Sequence, residues 1–142
     1  MAQQAKDVMT KNPQVVTADA PVQEAARLMQ SEDTGVLPVV ESQGTRRVVG
    51  VITDRDIALR VVAEGKASAT VRDAMSTGVR TCKADDDLKD VMQLMAREQV
   101  RRVPIVDDRG ELVGIVSQAD IVLEGDDKRA EETIERISQP GR

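Results

Sequence analysis

"VGVITDRDI", Val49–Ile57, returns later in the chain as "VGIVSQADI", Val113–Ile121. Each version is an apolar run that ends on a hydroxyl residue, Thr53 or Ser117, with an aspartate three places on, Asp56 or Asp120. A short apolar run of this kind reads as a strand, and a hydroxyl at its end reads as the N-cap of a following helix. Between the copies Asp54 becomes Gln118 and Arg55 becomes Ala119, while the hydroxyl and the aspartate stay.

The repetition extends outward from this stretch. "DVMT" at Asp7–Thr10 recurs as "DAMS" at Asp73–Ser76, and "VLPVV" at Val36–Val40 recurs as "RVPIV" at Arg102–Val106, both 66 positions on. Gly50 recurs as Gly114, only 64 on, so the first copy carries two extra residues between these markers. They fall in "ESQGTRR" against "DDRG", which read as hairpin turns around Gly44 and Gly110. Ordered blocks with a length change confined to a turn mark a tandem repeat.

Each copy shows one element order. A short strand at Val15–Thr17 precedes Pro21, placed near a helix start where a missing amide is harmless. Val22, Ala25, Ala26 and Met29 follow at helical spacing, matched by Leu88, Val91, Met92 and Met95, which Asp85 and Asp86 open as candidate N-caps. Two β-rich runs around a turn come next, Val36–Val40 with Val48–Ile52 and Val103–Val106 with Leu112–Val116. A second helix begins near Asp54 and near Gln118. The expected unit is β-α-β-β-α, twice, in an α/β (α+β) fold with pseudo-twofold symmetry. Residues 6–65 and 70–124 form the two domains, and residues 125–142 a charged C-terminal tail or short helix. A unit of this size buries little surface alone, so the copies are expected to share an aliphatic core.

The 142-residue chain has no Phe, Tyr, Trp or His and one cysteine, with a formal charge of −5. No aromatic ring is available to stack a base, and the acidic balance argues against a nucleic-acid footprint, leaving only a small patch at Arg101, Arg102 and Arg109. Without histidine, His-dependent nucleophiles and the commonest metal ligand are excluded. No apolar run approaches the roughly 18 residues that span a bilayer, and the N-terminus lacks the apolar segment of a signal peptide, so a cytoplasmic location is expected.

The repeated hydroxyl and aspartate admit two readings. As helix caps, they satisfy the first free amides and complement the positive end of the helix. As ligand groups, a carboxylate accepts hydrogen bonds from two vicinal hydroxyls, as acidic residues do on ribose, while free helix amides suit anionic groups. The spacing is compatible with both.

The order "DVMT … VVTADAPVQEAARLM … GVLPVV … VGVITDRDI", then "DAMS … VRTCKADDDLKDVMQLM … VRRVPIV … LVGIVSQADI", resembles a pair of cystathionine-beta-synthase (CBS) domains over roughly Lys6 to Leu123. The Gly-h-h-Thr/Ser-x-x-Asp-h motif of that family occurs twice, at Gly50–Ile57 and Gly114–Ile121. The likeness is strongest to small stand-alone prokaryotic members that are little more than the pair. It implies one Bateman module with clefts between the paired domains, holding AMP, ADP, ATP, NAD or S-adenosylmethionine as an effector, with no cofactor and no metal. By motif position Asp56 and Asp120 hold ribose hydroxyls, and Thr53 and Ser117 contact ribose or phosphate. The purine lies among Val16, Thr17, Gly35, Val36 and Ile52, and among Thr81, Cys82, Val103 and Ile115. It further implies a regulatory protein, not an enzyme, that forms a homodimer and signals to a protein partner.

The copies differ in charge. Arg101 and Arg102 stand where the first copy has Gly35 and Val36, and Lys83 is set against Ala18, so these basic residues are candidate phosphate partners and the two clefts are expected to differ in affinity. Cys82 reads as a small buried hydrophobe, and the "ADDD" of Ala84–Asp87 as a solvated capping turn without calcium-loop spacing. Two rival classes remain: a protein of this fold that docks on an enzyme or transporter without a small ligand, and a nucleotide hydrolase using Asp54 and Asp56. The second lacks a tuned base and a metal cage.

Overall fold

The computed structural model describes residues 3–124, and the C-terminal segment 125–142 lies outside the described residues. In chain order the elements are α1 (Ala5–Val8), β1 (Thr10–Lys11), β2 (Val16–Thr17), α2 (Val22–Glu32), β3 (Val36–Val40), β4 (Val48–Thr53) and α3 (Asp54–Ile57). The chain runs from α3 straight into a π-helical turn, Ala58–Val62. Then follow α4 (Val71–Ala74), β5 (Cys82–Lys83), α5 (Leu88–Glu98), β6 (Arg102–Val106), β7 (Leu112–Ser117) and α6 (Gln118–Glu124). The β-α-β-β-α order is present twice, as the repeat requires.

The elements form two compact units, one of residues 14–79 and a split one that joins residues 3–13 with 80–124. The units and the sequence repeats therefore divide the chain differently. The "DVMT" segment that leads the first repeat belongs to the split unit, and the "DAMS" segment that leads the second belongs to the 14–79 unit.

In the 14–79 unit the sheet order is β2-β3-β4, with β2 parallel and β4 antiparallel to β3. In the split unit it is β1-β7-β6-β5. The hairpins β3–β4 and β6–β7 share one register, Leu37 opposite Ile52 and Val103 opposite Val116, and both slip by a bulge, at Val39/Val40 and at Ile105/Val106. The first hairpin turn takes its left-handed residue at Arg46 (φ 55°) and the second at Gly110 (φ 79°).

Each unit has its own aliphatic cluster. Val16, Val22, Ala25, Met29, Leu37, Val39 and Ile52 pack together in the first. In the other, Leu88, Val91, Met92, Met95, Val103, Ile105, Val116 and Ile121 pack with Ala5 and Val8. The methionines fill gaps that aromatic residues fill elsewhere, as their unbranched shape allows. Both long helices end on a left-handed residue, Asp33 (φ 51°) after α2 and Gln99 (φ 56°) after α5.

One expected cap is placed differently. Helix α5 starts at Leu88 after Asp87, and the Asp86 carboxylate instead accepts the Lys83 amide at 2.8 Å, closing the turn Lys83–Asp86. A run of three aspartates offers several acceptors, and here the turn takes the middle one.

Candidate functional site

Strand β4 ends at Thr53, where the backbone turns into α3. The Thr53 hydroxyl accepts the Asp56 amide at 3.0 Å, and the Asp56 Oδ2 accepts the Thr53 amide at 3.0 Å. The second copy repeats this reciprocal box: the Ser117 hydroxyl accepts the Asp120 amide at 3.3 Å, and Asp120 Oδ2 accepts the Ser117 amide at 2.9 Å. The box satisfies two donors that a helix start leaves free. Thus the capping reading is physically present in both copies. Each box engages one carboxylate oxygen, and a carboxylate has about four lone-pair sites. Asp56 Oδ1 stands 4.0 Å from Arg60 Nη1, and the Asp56 side chain is 14% exposed.

The same device recurs at the other matched pair. Asp7 Oδ2 accepts the Gln4 amide at 2.8 Å and Asp73 Oδ2 accepts the Thr70 amide at 2.9 Å. That bond holds the Asp73 carboxyl below its ordinary range. Helix capping alone therefore accounts for all four repeated aspartates, and repetition does not decide between cap and ligand group.

Around Thr53 the first copy brings several predicted residues together. Val36 lies opposite Thr53 in the ladder, and the Asp54 amide donates to the Gly35 carbonyl at 2.9 Å. The Asp54 carboxylate lies over Gly35, where an added Cβ falls 2.9 Å from Oδ2, so a larger residue requires that side chain to move. Thr17 is half-buried on the edge strand, opposite Val40. Val16 and Ile52 face the core at 1% and 0% exposure, leaving only their backbone groups for a ligand.

In the second copy Arg102 lies opposite Ser117, and the Arg101 carbonyl accepts the Gln118 amide at 3.0 Å. Both arginines are exposed, and among the described residues neither makes an ion pair. Lys83 is exposed and donates to Asp108 at 2.9 Å, a bond that raises its pKa. Thr81 is exposed, Ile115 half-buried between Thr10 and Pro104, and Cys82 and Val103 are buried. Burial pushes the Cys82 thiol up to about 11, with Asp86 and Asp90 adding to it. That keeps it a neutral hydrophobe at pH 7.

The ladders correct one equivalence drawn from the sequence and bear out the rest. Cys82–Lys83 pair with Ile105–Val106 as Val16–Thr17 pair with Val39–Val40, so Lys83 matches Thr17 and not Ala18. Ile52 matches Val116, and Ile115 matches Val51. Val103 likewise matches Leu37, with Arg102 opposite Ser117 as Val36 is opposite Thr53.

Two residues gain roles that sequence reasoning did not give them. Gly50 passes so close to the segment after α4 that an added Cβ falls 2.5 Å from the Ser76 carbonyl oxygen. Arg60, four residues after Asp56, donates to the carbonyls of Ala74 at 2.9 Å and Met75 at 3.1 Å. The i,i+4 spacing from Asp56 was its one visible signal. A surface pocket of about 650 Å³ runs along α2 past Val15, Pro21, Arg27 and Leu28, and Val16 is the one predicted site residue in its lining. Among the described residues no group of three acidic or sulfur ligands gathers to hold a metal, and no helix is long and apolar enough to cross a membrane.

The CBS domain model matches residues 5–63 and 71–126. The CBS domain-containing protein YhcV of Bacillus subtilis is 44% identical over 119 residues, covering 83% of this chain and 82% of that protein. Among solved structures, the CBS domain pair of protein MJ0100, in complex with 5-methylthioadenosine and S-adenosyl-L-methionine, superposes with a TM-score of 0.76 at 30% identity, over 87% of this chain and 95% of that one. CBSX2 in complex with AMP, a protein of Arabidopsis thaliana, gives a TM-score of 0.73 at 26% identity, over 93% and 98%. With two matches in tandem and a doubled strand–hydroxyl–aspartate junction, the chain belongs to the CBS domain family and carries a pair of CBS domains.

Proposed function

We propose that this protein is a regulatory module that binds an adenosine-containing ligand, such as AMP, ADP, ATP, NAD or S-adenosylmethionine, and passes the signal to a protein partner without catalysis of its own. The observation that carries the reading is the unengaged carboxylate oxygen at each junction: each capping box uses Oδ2 of its aspartate, and Oδ1 accepts no hydrogen bond from the protein among the described residues. Vicinal hydroxyls of a ribose suit such a carboxylate, and Thr53 and Ser117 flank it with a hydroxyl. The MJ0100 pair and CBSX2 supply the ligand class, since their structures hold adenosine compounds. Gly35, Val36 and Thr17 in the first copy, and Thr81 and Ile115 in the second, offer small or aliphatic groups to the purine, and the buried Val16, Ile52, Cys82 and Val103 offer backbone. Arg101, Arg102 and Lys83 give the second copy the greater affinity for a phosphorylated ligand. The Asp108 pair on Lys83 is exposed, and such pairs contribute little and exchange partners readily.

A homodimer in the cytoplasm completes the proposal. Leu59 (51% exposed) and Val62 (72% exposed), both in the π-helical turn, are exposed apolar side chains it would cover. One observation favours a second reading, a docking protein without a small ligand: both aspartates already work as helix caps.

A dye-based thermal melt against the five ligands separates the two, the dye being needed because the chain has no tryptophan. Ligand at about 100 times its dissociation constant adds about 2.7 kcal/mol, a shift far above the noise of a melt. A flat panel at millimolar ligand overturns the nucleotide reading and leaves the docking one.

A further inference from the structure

We propose that Arg60 is a positioning residue of the first copy: it ties the Asp56 carboxylate to the Ala74–Ser76 segment and makes that segment respond to whatever occupies Asp56. The response to a nucleotide rests on the function proposed above; the tie itself does not.

Hydrogen bonds, strand β4 and one longer ion-pair contact form a closed ring. Arg60 Nη1 stands 4.0 Å from Asp56 Oδ1 and donates to the carbonyls of Ala74 and Met75 at 2.9 and 3.1 Å. These carbonyls close α4, where helix ends leave acceptors without an internal partner. The next residue, Ser76, exchanges two backbone hydrogen bonds with Val51 at 3.0 and 2.8 Å. Strand β4 then leads from Val51 to Thr53, whose amide returns to Asp56 Oδ2 at 3.0 Å. The segment Ala74–Ser76 thus holds the strand and the helix that meet at the site. Arg60 lies in the π-helical turn Ala58–Val62, where the Ala63 amide reaches the Ala58 carbonyl at 2.9 Å. Such wide turns inside helices are frequent at functional sites.

The free oxygen of Asp56 is the atom a ligand hydroxyl would use, and it is also the one facing Arg60. A hydroxyl donating there competes with the guanidinium, and only such a differential interaction can move an equilibrium. The Asp56–Arg60 pair is long and its arginine is half-exposed, so it is weak alone. The two carbonyls hold the guanidinium in place, so the ring supplies what the pair lacks.

The second copy is an internal control. It repeats the strand half of the ring, with Thr10 opposite Ile115 and Lys11 opposite Gly114. At the position of Arg60 its sequence has Glu124, a residue type with no hydrogen to give a carbonyl at neutral pH.

The test is amide hydrogen exchange on the full chain. Without ligand, Arg60→Gln is expected to speed exchange at Val51 and Ser76 about fivefold, the loss of roughly one ordinary hydrogen bond. Asp56→Asn should change the same amides in the same direction, the double variant should go no further than Arg60→Gln alone, and the Thr10–Lys11 stretch should keep its rate. Arg60→Lys, which keeps the charge, should recover part of the protection. Asp56→Glu replaces Asp56→Asn should the latter not fold by circular dichroism. Saturating AMP should change exchange at Ser76 in the wild type and not in Arg60→Gln. Unchanged amides at Val51 and Ser76 in the Asp56 variant, or effects that simply add, overturn the proposal, as does an AMP response at Ser76 that survives Arg60→Gln. If AMP fails to bind the wild type, the nucleotide reading fails, and the ligand-free comparison still decides the role of Arg60.

Discussion

Replacing Gly50 by alanine adds one carbon where the backbone of Ser76 passes. The new Cβ falls 2.5 Å from the Ser76 carbonyl oxygen and 3.3 Å from the Met75 sulfur. The sulfur can swing aside; the carbonyl cannot, because Ser76 exchanges bonds of 3.0 and 2.8 Å with Val51, next to the substituted residue. Retreating to ordinary contact, roughly 3.3 Å or more, stretches both bonds beyond useful length. At about 0.5–1.5 kcal/mol each, their loss costs about 1–3 kcal/mol. Gly50 has no positive φ, so the backbone conformation itself adds no penalty for alanine. Two glycines calibrate the effect. At Gly35 the added carbon meets the Asp54 side chain, which can rotate, and at Gly44 the nearest atom is 3.8 Å away. Urea unfolding followed by far-UV circular dichroism should rank Gly50→Ala as the most costly, Gly35→Ala next, and Gly44→Ala within about 0.5 kcal/mol of the wild type. A Gly50→Ala protein as stable as the wild type, or less affected than Gly35→Ala, refutes the close-approach argument.

Three further outcomes follow from the same geometry. Thr53→Ala and Ser117→Ala should each lower stability by about 1 kcal/mol, the usual value of an N-cap, by urea unfolding. Asp33→Gly should raise it by roughly 0.5–1 kcal/mol, since Asp33 holds φ 51° at the end of α2, and a melt no higher than the wild type contradicts this. Cys82, whose pKa rises from 9.0 to about 11, binds its proton more tightly folded than unfolded. Its contribution is therefore complete below pH 9 and fades as pH climbs toward 11. Cys82→Val, which copies Val16 at the matching place, should remove that slope in pH-dependent melts at a cost under about 1.5 kcal/mol.

The fold was legible because its signals are local and repeated. Val22, Ala25 and Met29 give a helix by spacing, the "VLPVV" and "VVGVIT" runs give a hairpin, and the length change in one turn separates repeat from coincidence. Which copy's leading segment joins which unit was not legible. Residues 3–13 pack with residues 80–124, and that is a matter of tertiary contact which no local pattern encodes. The capping boxes of Thr53 with Asp56 and Ser117 with Asp120 were legible because a hydroxyl and an aspartate three apart is a backbone geometry as much as a chemistry. The match of Lys83 slipped by one residue because the two-residue strands, Val16–Thr17 and Cys82–Lys83, offer too little pattern to fix a register. Arg60 escaped notice because its partners, the carbonyls of Ala74 and Met75, are main-chain atoms that no side-chain motif announces.

The central claim, that Asp56 and Asp120 hold a ligand and do more than cap helices, is tested most directly by calorimetric titration of AMP into the wild type, Asp56→Asn and Asp120→Asn. The account predicts saturable binding in the wild type, a loss of binding at one site in each variant, and melting temperatures close to the wild type, because asparagine can still accept the Thr53 or Ser117 amide. Binding that is undiminished in both variants, or absent from a folded wild type, contradicts it.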